Sequence, residues 1–342
     1  MNSPRVAIVI LNWNGRKLLD QYLPSVIQYS HDEGVSVVVA DNHSDDDSLS
    51  FLQENYPQVE LLRLEENYGF AKGYNVALQQ IEADYYILLN SDVEVTAGWV
   101  KPLIDRMESD PTVAAVQPKV LSWKRKDEFE YAGAAGGFID KLGYPFCRGR
   151  VLNVLEKDEG QFDQVTDIFW ATGACMAVNA RYFHEAGGFD ADFWAHMEEI
   201  DLCWRLKNRG YKIQFTPYSR VYHLGGGTLA YDNPKKLFLN FRNSLWLLYK
   251  NLPRRKFYKV LVVRMILDGV AAFKLLSEGN GGGFVSVLKA HYAFYRSHKQ
   301  LRAKRKALRK AATPQWHDEV LCKSIIWKFY LQGRKTFREM SR

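Results

Sequence analysis

Apolar runs of five or six residues recur along the first third of the chain, and most end in an abrupt polar turn. Val6–Leu11, Val35–Ala40, Val59–Leu64 and Tyr85–Leu89 are such runs. Continuous apolarity of that length predicts strands buried on both faces, as in a sheet covered by helices. Helical spacing lies between them. Leu18, Leu19, Tyr22, Leu23, Val26 and Ile27 share one face of Arg16–Tyr29, and a second helix opens out of the 66–75 loop and runs through Ile81. Strand, helix and strand joined by short links predict a doubly wound α/β fold with a mostly parallel sheet. Further on, Gly98–Ser109 reads as a helix, Val113–Pro118 as a short strand, and Thr166–Val178 as a strand with small residues in its middle. Residues 211–222 give a last short strand, and the glycine-rich 123–166 stretch is expected to be a loop or hairpin over the sheet.

Three of the predicted strands end in polar loops: Asn12 and Asn14; Asp41, Asn42, Ser44 and Asp45; then Asn90, Ser91 and Asp92. Asp and Asn make turns wherever a strand must stop. In a parallel sheet, however, these loops share the carboxyl edge, where ligands bind. Asp92 beside Asn90 and Ser91 is then a handhold for a hard cation carrying phosphates. Neither GxGxxG nor GxxxxGK[ST] is present, which excludes the dinucleotide fingerprint and the P-loop.

A second acidic group, Glu198, Glu199 and Asp201, falls in the first turn of a helix closed by Gly210. Carboxylates there gain from the helix dipole whatever else they do. The apolar lead-in of Phe193, Trp194 and Met197 would also desolvate a carboxylate and raise its pKa toward the range useful to a general base. His223 ends the last strand beside a glycine-rich loop, where it is either structural or a metal or phosphate contact.

The 342 residues suffice for two domains, and 47% apolar content marks a globular chain. Four scattered cysteines offer neither a disulfide framework nor a zinc site and fit a reducing compartment. The first apolar run is too short for a signal peptide and is expected to be a strand. The charge is uneven. Residues 1–241 hold 23 Lys and Arg against 34 Asp and Glu, whereas residues 242–342 hold 23 against 5. The runs at 237–249, 257–276 and 284–295 are amphipathic and interrupted by Lys or Arg, so none suits a spanning helix. With the dense basic run Lys299–Lys310 they predict a tail lying on an anionic membrane surface, the alternative being helices packed on the body. No nucleic-acid motif accompanies the charge.

Seven stretches taken in order carry a family resemblance: Ile8–Gly15 (IVILNWNG), Val39–Asp45 (VADNHSD), Asn67–Asn75 (NYGFAKGYN), Leu88–Val93 (LLNSDV), Ala171–Ala174 (ATGA), Met197–Leu202 (MEEIDL) and His223 with its glycines. With them the chain resembles the family-2 glycosyltransferases of GT-A fold, above all bacterial rhamnosyltransferase-like members that build surface polysaccharides. The resemblance spans roughly residues 5–230. It implies a GT-A (Rossmann-like) catalytic domain over 1–235, with a nucleotide-sugar half (1–120) and an acceptor half (121–235), followed by a basic helical extension over 236–342. It further implies inverting transfer from a nucleoside-diphosphate sugar to a lipid-linked or oligosaccharide acceptor, with Mg²⁺ or Mn²⁺ on the diphosphate. The enzyme would be cytoplasmic and peripheral on the inner face of the membrane.

By position, the resemblance gives Asn12, Asp41, Asn67, Gly69, Asn75, Asn90, Ser91 and Asp92 to the nucleotide sugar, Asp92 and His223 to the metal, and Trp170, Thr172 and Gly173 to the acceptor side. Glu199 falls where the family has its catalytic Asp, with Glu198 and Asp201 as alternatives for the base. Asn90 replaces the first Asp of the family's DxD element, which leaves Asp92 and the diphosphate to hold the metal. A non-catalytic nucleotide-sugar-binding protein of the same fold is the competing class. A nucleotidyltransferase would want a Gly-rich, basic first loop that Asn12–Gly15 does not offer.

Overall fold

The computed structural model describes residues 3–225 and 234–341. The first third alternates as its apolar runs require: β1 (Val6–Asn12), α1 (Arg16–Tyr29), β2 (Val35–Asp41), α2 (Ser48–Asn55), β3 (Glu60–Arg63), α3 (Gly69–Leu78) and β4 (Tyr85–Leu89). Then come β5 (Val93–Val95), α4 (Lys101–Ser109), β6 (Val113–Ser122), β7 (Gly137–Asp140), β8 (Pro145–Cys147), β9 (Arg150–Val151) and β10 (Val154–Leu155). After β11 (Thr166–Ile168), β12 (Cys175–Asn179) and α5 (Ala180–Glu185), α6 (Glu198–Asn208) leads into the long β13 (Lys212–His223). The C-terminal extension holds α7 (Pro234–Asn251), α8 (Phe257–Ser277), α9 (Gly281–Arg296), α10 (His298–Ala311), β14 (Val320–Leu321), α11 (Ile325–Gln332) and α12 (Phe337–Ser341).

The main sheet runs β11-β13-β6-β12-β4-β1-β2-β3, with β5 added on β13. β3, β2, β1 and β4 are mutually parallel. The chain moves outward from β1 to β3 and returns on the far side of β1 as β4. Strand order therefore reverses beside β1, and a ligand crevice opens at the carboxyl ends there. Helices cover both faces of β4, which is why all five of its residues are buried and apolar. β12 enters antiparallel between β4 and β6, and β13 runs parallel to β6.

The stretch expected as a loop or hairpin holds successive antiparallel hairpins, which with β14 form a second sheet, β10-β9-β8-β7-β14. Strands of two to four residues are too short to show alternation, so the sequence signals only their glycines. At Gly137 a Cβ would lie 2.1 Å from the Trp170 ring, so glycine is required for that close approach. The run 166–178 also divides: β11 and β12 are strands, and the segment between them crosses the carboxyl edge.

The extension is part of the body. β14 pairs in parallel with β7, and α7 is buried throughout Asn243–Asn251, so α7 is a core helix rather than the amphipathic surface helix expected. The Lys250 ammonium on α7 sits between Asp190 and Asp201, at 2.8 Å from the Asp201 carboxylate. Asp201 also accepts from Arg205 at 2.7 Å and Asn251 at 2.8 Å. From α10, Lys304 pairs with Asp190 and Asp192, and Arg305 donates to the carbonyls of Tyr249 and Leu252. Part of the basic run thus joins the tail to the catalytic half. Among the described residues, no helix is long and apolar enough to cross a membrane.

Removing one partner of a buried ion pair leaves uncompensated charge and costs about 3–5 kcal/mol. Asp201→Ala leaves the buried Lys250 with Asp190 alone and the buried Arg205 with only backbone carbonyls. It is expected to lower stability by about that amount in urea denaturation.

Candidate active site

Register builds the first part of the site. β1 and β2 pair from Val6↔Val35 to Asn12↔Asp41, so the last residue of each strand stands beside the other at the crevice. Asn12 Nδ2 donates to Asp41 Oδ1 at 3.0 Å, and the Ser44 amide and hydroxyl donate to the same carboxylate at 3.0 and 2.6 Å. Asn12 Oδ1 is buried with no donor. Asn42 fixes the next wall: it donates to Asn67 Oδ1 and to the Gly69 carbonyl, both at 3.1 Å, and accepts from the Tyr68 amide. Gly69 has φ +71°, and a Cβ there would press on the Trp194 indole at 2.9 Å.

The second part lies at the end of β4. Antiparallel pairing of β5 with β13 sets His223 opposite Val93, and the Leu224 amide donates to the Asp92 carbonyl at 3.0 Å. His223 Nε2 is 3.1 Å from Asp92 Oδ1, and His223 Nδ1 is 3.2 Å from Glu130 Oε2. All three side chains are buried. Burial opposes a charged imidazole, but the carboxylates of Glu130 and Asp92 override it and push His223 up to about 10. Burial likewise works to raise Asp92, and His223 overcomes it, holding the carboxyl below its usual range. The donor set fits a divalent cation once His223 gives up the proton that its two carboxylates favour, a loss that a cation at Nε2 would itself drive. Glu130 lies behind Nδ1, and Nε2 faces Asp92. Among the described residues no three His, Cys, Asp or Glu side chains form a metal-holding group, so Asp92 and His223 would hold the cation together with oxygens of a bound diphosphate.

The third part is the start of α6. Glu198 is buried and Glu199 half-buried, and each has one carboxylate oxygen without a hydrogen-bond partner. Burial lifts Glu199 to about 7. Burial and the neighbouring Glu199 charge lift Glu198 well above the ordinary carboxylate range. The lead-in is strained: Trp194, His196 and Met197 have φ of 67°, 69° and 73°, a region that costs non-glycine residues about 1–3 kcal/mol each. What holds it is α7. Asn243 Nδ2 donates to the carbonyls of Phe193, Ala195 and His196 at 3.0, 2.9 and 2.7 Å, and Arg242 adds bonds to Asp192 and Phe193. The amides of Phe70 and Ala71 donate to the Trp194 carbonyl, both at 3.1 Å, so this loop meets the nucleotide side at the start of α3.

Residues 171–174 join these parts. The Ala174 carbonyl accepts from the Asn90 amide at 3.0 Å, and the Ala171 amide donates to Cys203 Sγ, one turn along α6 from Glu199. Gly173 and the half-buried Asn90 and Ser91 lie along this junction.

Several expected site residues stand elsewhere. Trp170 is buried and its indole nitrogen donates to the Phe138 carbonyl, so it is core rather than acceptor surface. Thr172 is buried too: its amide donates to Gln117 and its hydroxyl accepts from Ala174. Asn75 uses both ends of its amide on the Phe189 backbone, at 2.7 and 2.8 Å, and so ties α3 to the turn before α6 instead of lining a nucleotide. Asp201 is fully buried and held below its usual range, burial being outweighed by Lys250 and Arg205, which leaves Glu198 and Glu199 as the unpaired acids. Glu130 and Asn243 had no sequence signal, since each acts through an element distant in the chain. The glycines after Gly225 lie outside the described residues.

Comparison with known proteins agrees with this geometry. An N-acetylglucosaminyl-diphospho-decaprenol L-rhamnosyltransferase of Mycobacterium tuberculosis is 26% identical over 266 residues, covering 70% of this chain and 85% of that protein. The O-antigen biosynthesis protein RfbC of Myxococcus xanthus is 24% identical over 224 residues, covering 65% of this chain and 17% of RfbC. Among solved structures, GalNAc-T7 with UDP, GalNAc and Mn²⁺ superposes with a TM-score of 0.58 at 18% identity, covering 97% of this chain and 57% of that one. The mannosyltransferase PcManGT of Pyrobaculum calidifontis, in complex with GDP-Man and Mn²⁺, gives 0.53 at 16% identity, with 91% and 81% covered. At such identities these structures establish the shared GT-A fold. The profile described as Glycosyl transferase family 2 matches residues 7–185, more than half of the chain, and the protein belongs to that family.

Proposed function

We propose that this chain moves a sugar, with inversion, from a nucleoside-diphosphate donor to a hydroxyl of a lipid-linked saccharide in surface-polysaccharide synthesis. The observation that carries the reading is the presence of two opposed chemistries on elements joined through residues 171–174, which bond to Asn90 after β4 and to Cys203 of α6. Asp92 and His223 form a buried handhold at the strand-order reversal, and Glu199 is a desolvated carboxylate raised to about 7 at the start of α6. The lipid-linked acceptor is supported by the rhamnosyltransferase relative, whose name specifies a diphospho-decaprenol substrate.

In this reading the β1 and β2 ends bind the nucleoside, with Asn12 and Asp41 at its base or ribose and the Asn67–Gly69 loop as its wall. A divalent cation such as Mg²⁺ or Mn²⁺, held by Asp92 and His223, supplies Lewis-acid stabilisation of the departing diphosphate. Glu130 fixes the His223 ring. Glu199 accepts the proton of the acceptor hydroxyl as its oxygen attacks the anomeric carbon from the face away from the diphosphate. Displacement in a single step inverts that carbon and requires no covalent enzyme intermediate. Burial and the neighbouring Glu199 charge favour the protonated form of Glu198, which keeps a second negative charge from the side of the base. The basic extension keeps the protein peripheral on the anionic inner face of the membrane, next to its acceptor.

The direct test offers a panel of nucleotide sugars with Mg²⁺ or Mn²⁺ and membrane extract, scored by nucleoside-diphosphate release and sugar transfer. Nucleotide binding without turnover on any donor would favour the non-catalytic reading. Asp92→Ala is expected to abolish turnover, and near-normal rates in that variant would remove Asp92 from the metal. Glu130→Gln is expected to weaken Mn²⁺ binding by about 10–100-fold, read by the EPR signal of free Mn²⁺ in titrations. Glu199→Gln is expected to lower kcat by about 10²–10⁴-fold with little change in donor KM. Because the base works deprotonated, kcat/KM should rise with pH up to about 7 and then level, and Glu199→Gln should flatten that limb.

A further inference from the structure

α8 is built inside out. Its inward positions include the charged Arg264 and Asp268, both buried. Arg264 stacks on Tyr144 and donates to the Leu142 carbonyl at 3.1 Å, and Asp268 lies 3.3 Å from His291 of α9. Its outward positions are apolar: Tyr258, Val262, Ile266, Val270 and Phe273, spaced four, four, four and three residues apart and each more than half exposed. α9 also turns apolar side chains outward, Val285, Leu288, Tyr292 and Tyr295, while Gly283, Ser286, Val287, Ala290 and Phe294 face in. The two helices run antiparallel, since Phe273 meets Phe284 at one end and Met265 meets Tyr295 toward the other. Of the fifteen large hydrophobic side chains exposed among the described residues, thirteen lie on α8, α9 and α11. An apolar surface so concentrated has a partner.

The charge around it says which. Arg254, Arg255, Lys256 and Lys259 are exposed at the start of α8, Lys274 at its end, and Lys289 and Arg296 on α9. The one exposed acid between residues 254 and 300 is Glu278, which is paired with Lys274 at 2.7 Å. A second copy docked through this face would bring one basic rim against another, whereas an anionic bilayer complements both the apolar stripe and its rim. Arg264 and Asp268 interrupt α8, so it lies along the surface and does not span it. The exposed Tyr258, Tyr292, Tyr295 and Trp327 suit the headgroup level.

We propose that the α8–α9 hairpin, with the outer face of α11, is an in-plane membrane-docking surface for anionic phospholipid. This rests on the peripheral placement proposed above and names the face responsible. It assigns the contact to the apolar side of α8 and α9 and not to the basic α10, whose Lys304 and Arg305 are engaged with the body.

The test sediments the full chain with phosphatidylcholine vesicles that contain or lack phosphatidylglycerol, and measures its mass in solution by light scattering. Three forms are compared: wild type, Ile266→Asp with Leu288→Asp, and Arg255→Gln with Lys259→Gln. Both pairs of substituted positions are exposed, and equal melting temperatures confirm the fold. Wild type should bind only the anionic vesicles. The apolar-face variant should lose about tenfold or more of that binding, and the rim variant a smaller part that salt mimics. If wild type binds and the apolar-face variant binds equally well, this surface assignment fails while the peripheral reading stands. If wild type ignores all vesicles, both fail. A wild-type dimer that Ile266→Asp with Leu288→Asp dissolves, without vesicle binding, would make a second copy the occupant and overturn the proposal.

Discussion

The buried ammonium of Lys250 is the point on which the start of α6 depends. It stands between Asp190 and Asp201, and Arg205 completes the balance. Three acids open α6, and this pairing separates them. Asp201 takes the cations and is a fixed negative charge. Glu198 and Glu199 have none, so burial outweighs the backbone hydrogen bonds at the helix start and raises both. A desolvated, unpaired carboxylate costs stability and has a use only where a proton must be taken. The same network draws α7 against α6, and α7 brings Asn243 under the strained residues that precede Glu199.

Much of this could be read from the chain, for a definite physical reason. Strands buried on both faces must be apolar throughout and must end in polar residues, so β1, β2 and β4 and their loops are visible as runs and breaks. Parallel pairing then places those breaks on one edge without further information. The acids of α6 were equally visible, but their division was not. Which of them meets a cation depends on Lys250, 49 residues beyond Asp201 in the chain, and no local pattern reports such a partner. The structural contacts of Trp170, Thr172 and Asn75 were hidden for a related reason. A residue inside a motif can serve the motif's shape: Trp170 packs on Gly137, and Asn75 grips the Phe189 backbone.

His223 and Glu130 show the other limit. A histidine at a strand end is ambiguous until the partners of both nitrogens are known. Here β13 carries it beside Asp92, while the chain after β6 returns Glu130 to its far side. That return is the turn after β6, closed where the Glu130 amide donates to the Val120 carbonyl. Gly225 belongs to the same arrangement, because a Cβ there would lie 2.6 Å from Glu130 Oε1. Gly225 thus permits a carboxylate to lie close behind His223.

The extension read as one basic, amphipathic tail, and the structure divides it by face. α7 and the inner side of α10 are the floor of the catalytic half, held by Lys250, Lys304 and Arg305. The outer side of α8 and α9 is apolar and open. α7 packs against both α8 and α9 while its own Asn243 clamps the loop before the base. One buried helix therefore connects the surface hairpin to the residues that set the position of Glu199. A protein that meets its acceptor at a membrane gains from such a connection. Under the proposed function, the geometry of the base would stay fixed to the face that docks, and a lipid-linked hydroxyl would arrive at a constant height relative to it.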